Sequence, residues 1–209
     1  MARQIAQVPQ TRHRTWIALF RGINVGGRHS LPMAGLRELL AQNGCSQVRT
    51  YIQSGNAVFS CRETSAAKLA RRIQAVVAKR FGFEPRVMVL SDAELEQAAA
   101  GNPYKQAVRT EPKFVHLYFL DAAPERARLE ALEAVRHESE SFALAGRVLY
   151  LHTPKGYGIS KLAERAERLL GVTATARNWR TVSELLNIAR TQDDPERVTS
   201  RPSRSPRRK

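Results

Sequence analysis

The chain has 209 residues, 43% of them hydrophobic, with 34 Lys and Arg against 19 Asp and Glu, giving a formal net charge of +15 and a pI near 10.8. That is enough for a sizeable core, while no window approaches the roughly 18 continuous apolar residues of a membrane helix and residues 1–14 hold no signal-peptide run. A cytoplasmic protein without a membrane partner is expected, and its basicity, shared between the tails and the body, favours anionic partners.

Residues 1–14 read as a disordered basic tail. A buried strand follows at 15–21. Pro32 suits the first turn of a helix, Met33, Leu36, Leu39 and Leu40 recur at helical spacing, and Asn43-Gly44 closes it. Strands at 47–53 and 56–61 flank Ser54-Gly55, a hairpin signal. Leu69, Ile73, Val76 and Val77 give the next helix one apolar face, and 86–90 is a fourth strand. Ser91 and Glu94 have capping-box spacing for a short helix. The order then repeats: a strand at 113–120, a helix from Pro124 to about 137, a hairpin at 140–152, a helix at about 159–170 and a strand at 173–177. A last helix spans 179–190. Residues 191–209 end in a Ser-Arg-Pro-rich run with nothing to join a core, a second disordered basic tail.

Each half reads βαββαβ, about 15–90 and 113–177, and Tyr51, Gly55 and Phe59 match Phe142, Gly146 and Tyr150 at a constant offset of 91. The expectation is an α+β body over 15–190, a duplicated βαββαβ made of two ferredoxin-like units.

The runs Leu19-Phe-Arg-Gly-Ile-Asn-Val-Gly-Gly27 and Val48-Arg-Thr-Tyr-Ile-Gln-Ser-Gly-Asn-Ala-Val-Phe59 resemble the signature of a bacterial family, domain of unknown function 1697. Asn102-Pro-Tyr104, Ser160-Lys-Leu162 and Thr175-Ala-Arg-Asn-Trp179 add to the likeness, with Ala176 where the family often has Thr. The resemblance implies two ferredoxin-like units intertwined within one chain, and it implies no activity.

Three polar motifs fall at element ends. In the loop Arg21–Arg28, Gly26 and Gly27 permit the positive φ that an anion-binding nest needs, Arg21 and Arg28 supply charge, and Asn24 can donate or accept. The spacing matches neither a dinucleotide fingerprint nor a P-loop, so no cofactor is expected. Ser54 and Asn56 sit at the hairpin end. Arg177 and Asn178 precede the last helix, where Asn178 suits an N-cap and Trp179 a core anchor, and a helix N-terminus beside an Arg binds phosphate or carboxylate. Lys161 opens another helix. The leading expectation is a small phosphate- or carboxylate-bearing ligand held by Arg21, Asn24, Gly26, Gly27, Ser54, Asn56, Lys161, Arg177 and Asn178. Each also has a structural reading as turn, cap or solvated charge.

The alternative is an electrostatic, non-sequence-specific association with nucleic acid through the tails and Arg71, Arg72, Lys79 and Arg80. Base stacking on the sheet is not expected, because the strand at 56–61 holds one aromatic, Phe59, where an RNA-recognition sheet needs two. The five histidines lack metal-ligand spacing, so no metal is expected. Cys45 and Cys61 read as two unpaired structural thiols. No catalytic set stands out.

Overall fold

The computed structural model describes residues 13–27 and 29–193. Both expected tails lie largely outside these residues, as does Arg28. The first strand, β1 (Arg14–Arg21), is buried continuously from Thr15 to Phe20 because both of its faces are covered. It pairs antiparallel with β3 (Asn56–Cys61) on one side and β4 (Arg86–Ser91) on the other. With β2 (Cys45–Tyr51) this gives a four-stranded sheet in the order β2-β3-β1-β4. Two helices cover its outer face. Helix α1 (Met33–Gln42) buries Met33, Leu36, Leu39 and Leu40. Helix α2 (Ala66–Phe81) starts at Ser65, whose hydroxyl accepts from the Lys68 N–H, and buries Leu69, Ile73 and Val77.

The second half repeats the topology. Strands β5 (Val115–Leu120), β6 (Ser141–Ala145), β7 (Val148–His152) and β8 (Ala174–Asn178) form a sheet in the order β6-β7-β5-β8. Its outer face carries α5 (Ala127–Glu133) and α6 (Lys161–Leu170). This is the duplicated ferredoxin-like α+β arrangement. Each sheet draws its four strands from one consecutive segment, so the units interlock through helices rather than by exchanging strands. Helix α3 (Asp92–Ala100), opened by the Ser91–Glu94 capping box, packs on β1, β4 and α7 (Trp179–Asp193). Helix α7 packs on β1, β2 and β3 of the first sheet as well as β5 and β8 of the second. One cluster therefore joins Ile17, Leu19 and Val58 to Val115, Leu117 and Phe119 around Val182, Leu185 and Leu186. Among the described residues, the inner sheet faces are covered by this shared core.

Several boundaries differ from expectation. Strand β2 begins at Cys45 and ends at Tyr51, with a register shift between Ser46 and Arg49 where Gln47 takes φ 52°. The hairpin turn is Ile52–Gly55, longer than a two-residue Ser-Gly turn, with Ile52 at φ 48°. Helix α5 stops at Glu133, well short of 137. Beyond it the Arg136 guanidinium donates to the Glu140 carbonyl at 2.9 Å and the His137 N–H to Glu140 Oε2 at 3.2 Å, which folds the chain out of the helix. A short helix, α4 (Lys105–Thr110), follows an Asx turn in which the Tyr104 N–H donates to Asn102 Oδ1 at 3.0 Å. It buries no residue, so the sequence carries no apolar period to announce it.

Candidate functional site at the junction of the two units

Alternation along β8 sends Thr175 and Arg177 to the side opposite Ala174 and Ala176. From there Arg177 reaches into the first unit. Its Nε donates to Asn56 Oδ1 at 2.6 Å, and one terminal nitrogen donates to the Phe20 carbonyl at 2.6 Å, with Gly55 O at 3.2 Å and Ser54 O at 3.4 Å. The other donates to the carbonyl of Ala176 at 2.8 Å. Every one of these acceptors is uncharged. Burial brings the guanidinium down to about 10, offset only in part by Tyr157. Asn56 is fully buried and spends its own amide on Tyr51 O and Ser54 Oγ.

The Gly22–Ser30 loop leans on the same hairpin end. Asn24 sits at φ 56°, tolerable for Asn. Its Nδ2 donates to Leu31 O at 3.0 Å and to Gln53 O at 2.8 Å, and its Oδ1 accepts from the Leu31 N–H at 2.7 Å. Gly26 and Gly27 lie on the exposed outside of the loop at φ 59° and 72°. Gly55 is needed for another reason: at φ +79° a Cβ would come within 2.4 Å of Ile23 Cδ1 and 2.7 Å of Phe20 Cβ. Two apolar side chains, Val25 and Ile52, project from the neighbouring loops at 70% and 50% exposure.

Behind the junction lies a second polar group. Arg21 donates to the Glu167 carboxylate and, at 3.0 Å, to the Ala174 carbonyl, while Arg86 stands 3.9 Å from the same carboxylate. Burial pushes the Glu167 carboxyl up, but the Arg21 hydrogen bond, the Ala174 N–H and the two cations outweigh it and leave it below its ordinary value. The Tyr118 and Tyr157 hydroxyls are 2.7 Å apart, and Tyr118 also donates to Ala163 O at 3.1 Å. Burial raises both phenols, with Arg21 and Arg177 pulling Tyr157 back. His116 stacks on Tyr157 with centroids 3.9 Å apart. It is buried, its Nδ1 has no hydrogen-bond partner, and burial lowers the ring to about 4 against a smaller upward pull from the Phe114 backbone.

A family described as "Protein of unknown function (DUF1697)" matches residues 14–150. The chain belongs to that family. It is also similar to a solved structure, the conserved bacterial protein SP0830 from Streptococcus pneumoniae. That likeness has a TM-score of 0.68 at 21% identity and covers 85% of this chain and 99% of that one, a similarity of fold. No curated protein matches the chain.

In this family member the three motifs converge: Arg177 donates to Asn56 Oδ1 and the Ser54 carbonyl, Asn56 donates to Ser54 Oγ, Asn24 joins them by donating to the neighbouring Gln53 carbonyl, and Gly26 and Gly27 lie on the same loop as Asn24. Arg21 stands beside them, turned toward Glu167. Two expected residues lie elsewhere in their contacts. The Asn178 side chain caps α7, its Oδ1 accepting from the Thr181 N–H at 2.9 Å. Lys161 is exposed at the start of α6 and lines a separate recess with Arg136, His137, Lys155 and Arg165. Local sequence patterns do not mark Tyr118 or Tyr157; they favour a solvated helix face for Glu167, which instead accepts from Arg21, and a core or edge position for His116, which is buried. The basic face on α2 is also thinner than expected, since Arg72 turns to Cys61 Sγ at 3.2 Å and Arg80 to Glu38 at 3.3 Å. Among the described residues no group of three His, Cys, Asp or Glu could hold a metal ion, and no helix is long and apolar enough to cross a membrane.

Proposed function

We propose that the protein is cytoplasmic and binds a small molecule bearing a phosphate or carboxylate at the junction. The observation that carries the reading is Arg177, a largely buried cation whose acceptors are carbonyls and one amide. A buried charge without a counter-charge is costly, and an anion beside it removes that cost. The neighbourhood adds to the pull, because Arg21 and Arg86 share one carboxylate, Glu167. The approach is from the Ser54 side, where the hydroxyl, the Gly26–Gly27 backbone and Arg177 can meet the anionic group, with Val25 and Ile52 beside the rest of the ligand. The reading is of binding, with no reaction assigned.

Thermal shift of the full chain against inorganic phosphate, nucleotides, phosphosugars, short carboxylates and short oligonucleotides tests it. A ligand at about 100 times its Kd stabilises by roughly 2.7 kcal/mol, a shift of several degrees. One class of small anion should give that shift, and Ser54→Ala and Arg177→Gln should reduce it relative to their own unliganded midpoints. Silence from every small anion sinks the reading. A response to oligonucleotides alone, steeply weakened by salt, favours electrostatic nucleic-acid association instead.

A further inference from the structure

The two cysteines stand opposite one another. Starting β2 at Cys45 brings that residue into direct register with Cys61 of β3. Residues paired across antiparallel strands have Cα atoms about 4.5–5.5 Å apart, inside the 4.4–6.8 Å range that a disulfide spans. The side chains point the same way, into the core under α1 and α2, at 5% and 3% exposure. Both are free.

The surroundings distinguish the two sulfurs. Arg72 Nη2 lies 3.2 Å from Cys61 Sγ, and that thiol also donates to Gly44 O at 3.7 Å. Burial first, and then the charge of Cys61, push the Cys45 thiol up to about 12, with Arg72 pulling it part of the way back. A thiolate is the nucleophile in thiol chemistry, and a neighbouring cation favours it. The pair also sits near the rim. Strand β2 is the outer strand of its sheet, and the residue before Cys45 is the exposed Gly44. At 5% and 3% exposure the thiols are out of reach of a protein-sized oxidant, which leaves a small one.

We propose that Cys45 and Cys61 form an intramolecular disulfide site whose oxidant is a small hydroperoxide. Cys61 Sγ, beside the Arg72 guanidinium, gives up its proton and attacks the peroxide oxygen. The O–O bond breaks, one oxygen leaves as water or alcohol after taking a proton, and Cys61 becomes a sulfenic acid. The Cys45 sulfur then attacks the Cys61 sulfur, the S–O bond breaks, and hydroxide leaves with the Cys45 proton as water. Two thiols lose two electrons in all, and one peroxide gains them. The crosslink closes the hairpin from residue 45 to residue 61 and fixes its register across the irregularity at Ser46–Arg49. The proposal is independent of the anion site.

The test uses the full reduced chain and equimolar hydrogen peroxide under native conditions. Intact mass should fall by two hydrogens, thiols counted after denaturation should go from two to none, and digestion should yield one crosslinked peptide pair, Cys45 with Cys61. The melting midpoint should rise by up to about 10 °C, as expected for a closed loop of this length. Dithiothreitol should reverse both changes. Arg72→Gln should give the same product more slowly. Cys45→Ser should leave Cys61 as a sulfenic acid that dimedone traps, a readout that does not depend on the crosslink. Persistence of both thiols, separate oxidation to sulfinic acids, or chiefly intermolecular dimers overturns the proposal.

Discussion

His116 should make the fold acid-sensitive in a way that one substitution removes. The ring is buried against Tyr157 and is lowered to about 4, against about 6.5 in an unfolded chain. The native state thus binds the proton less readily than the unfolded state. The stabilisation is fully present above pH 6.5 and is lost as pH falls toward 4. Linkage between those two values predicts a loss of about 2–3 kcal/mol between pH 7 and pH 4.5 from this residue alone. Carboxylates begin to take up protons at the acid end of this window, so the useful quantity is the difference between two proteins. His116→Phe keeps an aromatic ring on Tyr157 and removes both the proton and the unpartnered Nδ1, whose desolvation costs about 1–3 kcal/mol. Urea denaturation should find the variant at least as stable as wild type at pH 7 and about 2–3 kcal/mol less sensitive to acid. Parallel stability curves from pH 7 to 4.5 would refute the reasoning.

Other changes should weaken the fold by known routes. Gly55→Ala must hold φ +79° and meet Ile23 and Phe20; about 2–4 kcal/mol of chemical stability should go, about half to strain and half to overpacking. Arg177→Met strands Asn56 Oδ1 and removes a donor from the Phe20 carbonyl while relieving a buried charge, for a net loss of about 2–4 kcal/mol. Arg177→Lys should recover only part of this, because an ammonium cannot reproduce the fork, and equal denaturation midpoints for Lys and Met would contradict that account. Tyr150→Phe removes the buried hydroxyl that donates to Ala98 O at 2.8 Å and should cost about 1–2 kcal/mol, measured the same way.

What could be read from the sequence divides by the distance over which each signal acts. The capping box at Ser91 and Glu94 and the cap at Asn178 were legible because each bond spans three residues. The apolar faces of α1 and α2 were legible because burial repeats with the helical period. The meeting of Asn24, Ser54 and Arg177 was foreseen only as far as all three motifs sit at element ends. The partners that complete the region were hidden. Arg21 reaches Glu167 across 146 residues, and no local pattern marks Tyr157 as lying under two guanidiniums. Lys161 kept two readings in the sequence, because a charge at a helix start looks the same whether it meets a ligand or water. Beginning the second strand at 47 left Cys45 outside it, which concealed its partner across the ladder.

The path of α7 sets the order in which the protein can finish folding. The inner face of the first sheet, with Ile17, Leu19 and Val58, is covered by helices that include this last one. A ribosome releases the first unit's strands long before α7 exists, so the nascent chain carries an open apolar face throughout synthesis of the second unit. Such a face is prone to misassociation. Refolding from denaturant should therefore be limited by the late, long-range docking of α7 rather than by either hairpin, and a chain cut before Trp179 would be a client for chaperones rather than a smaller domain.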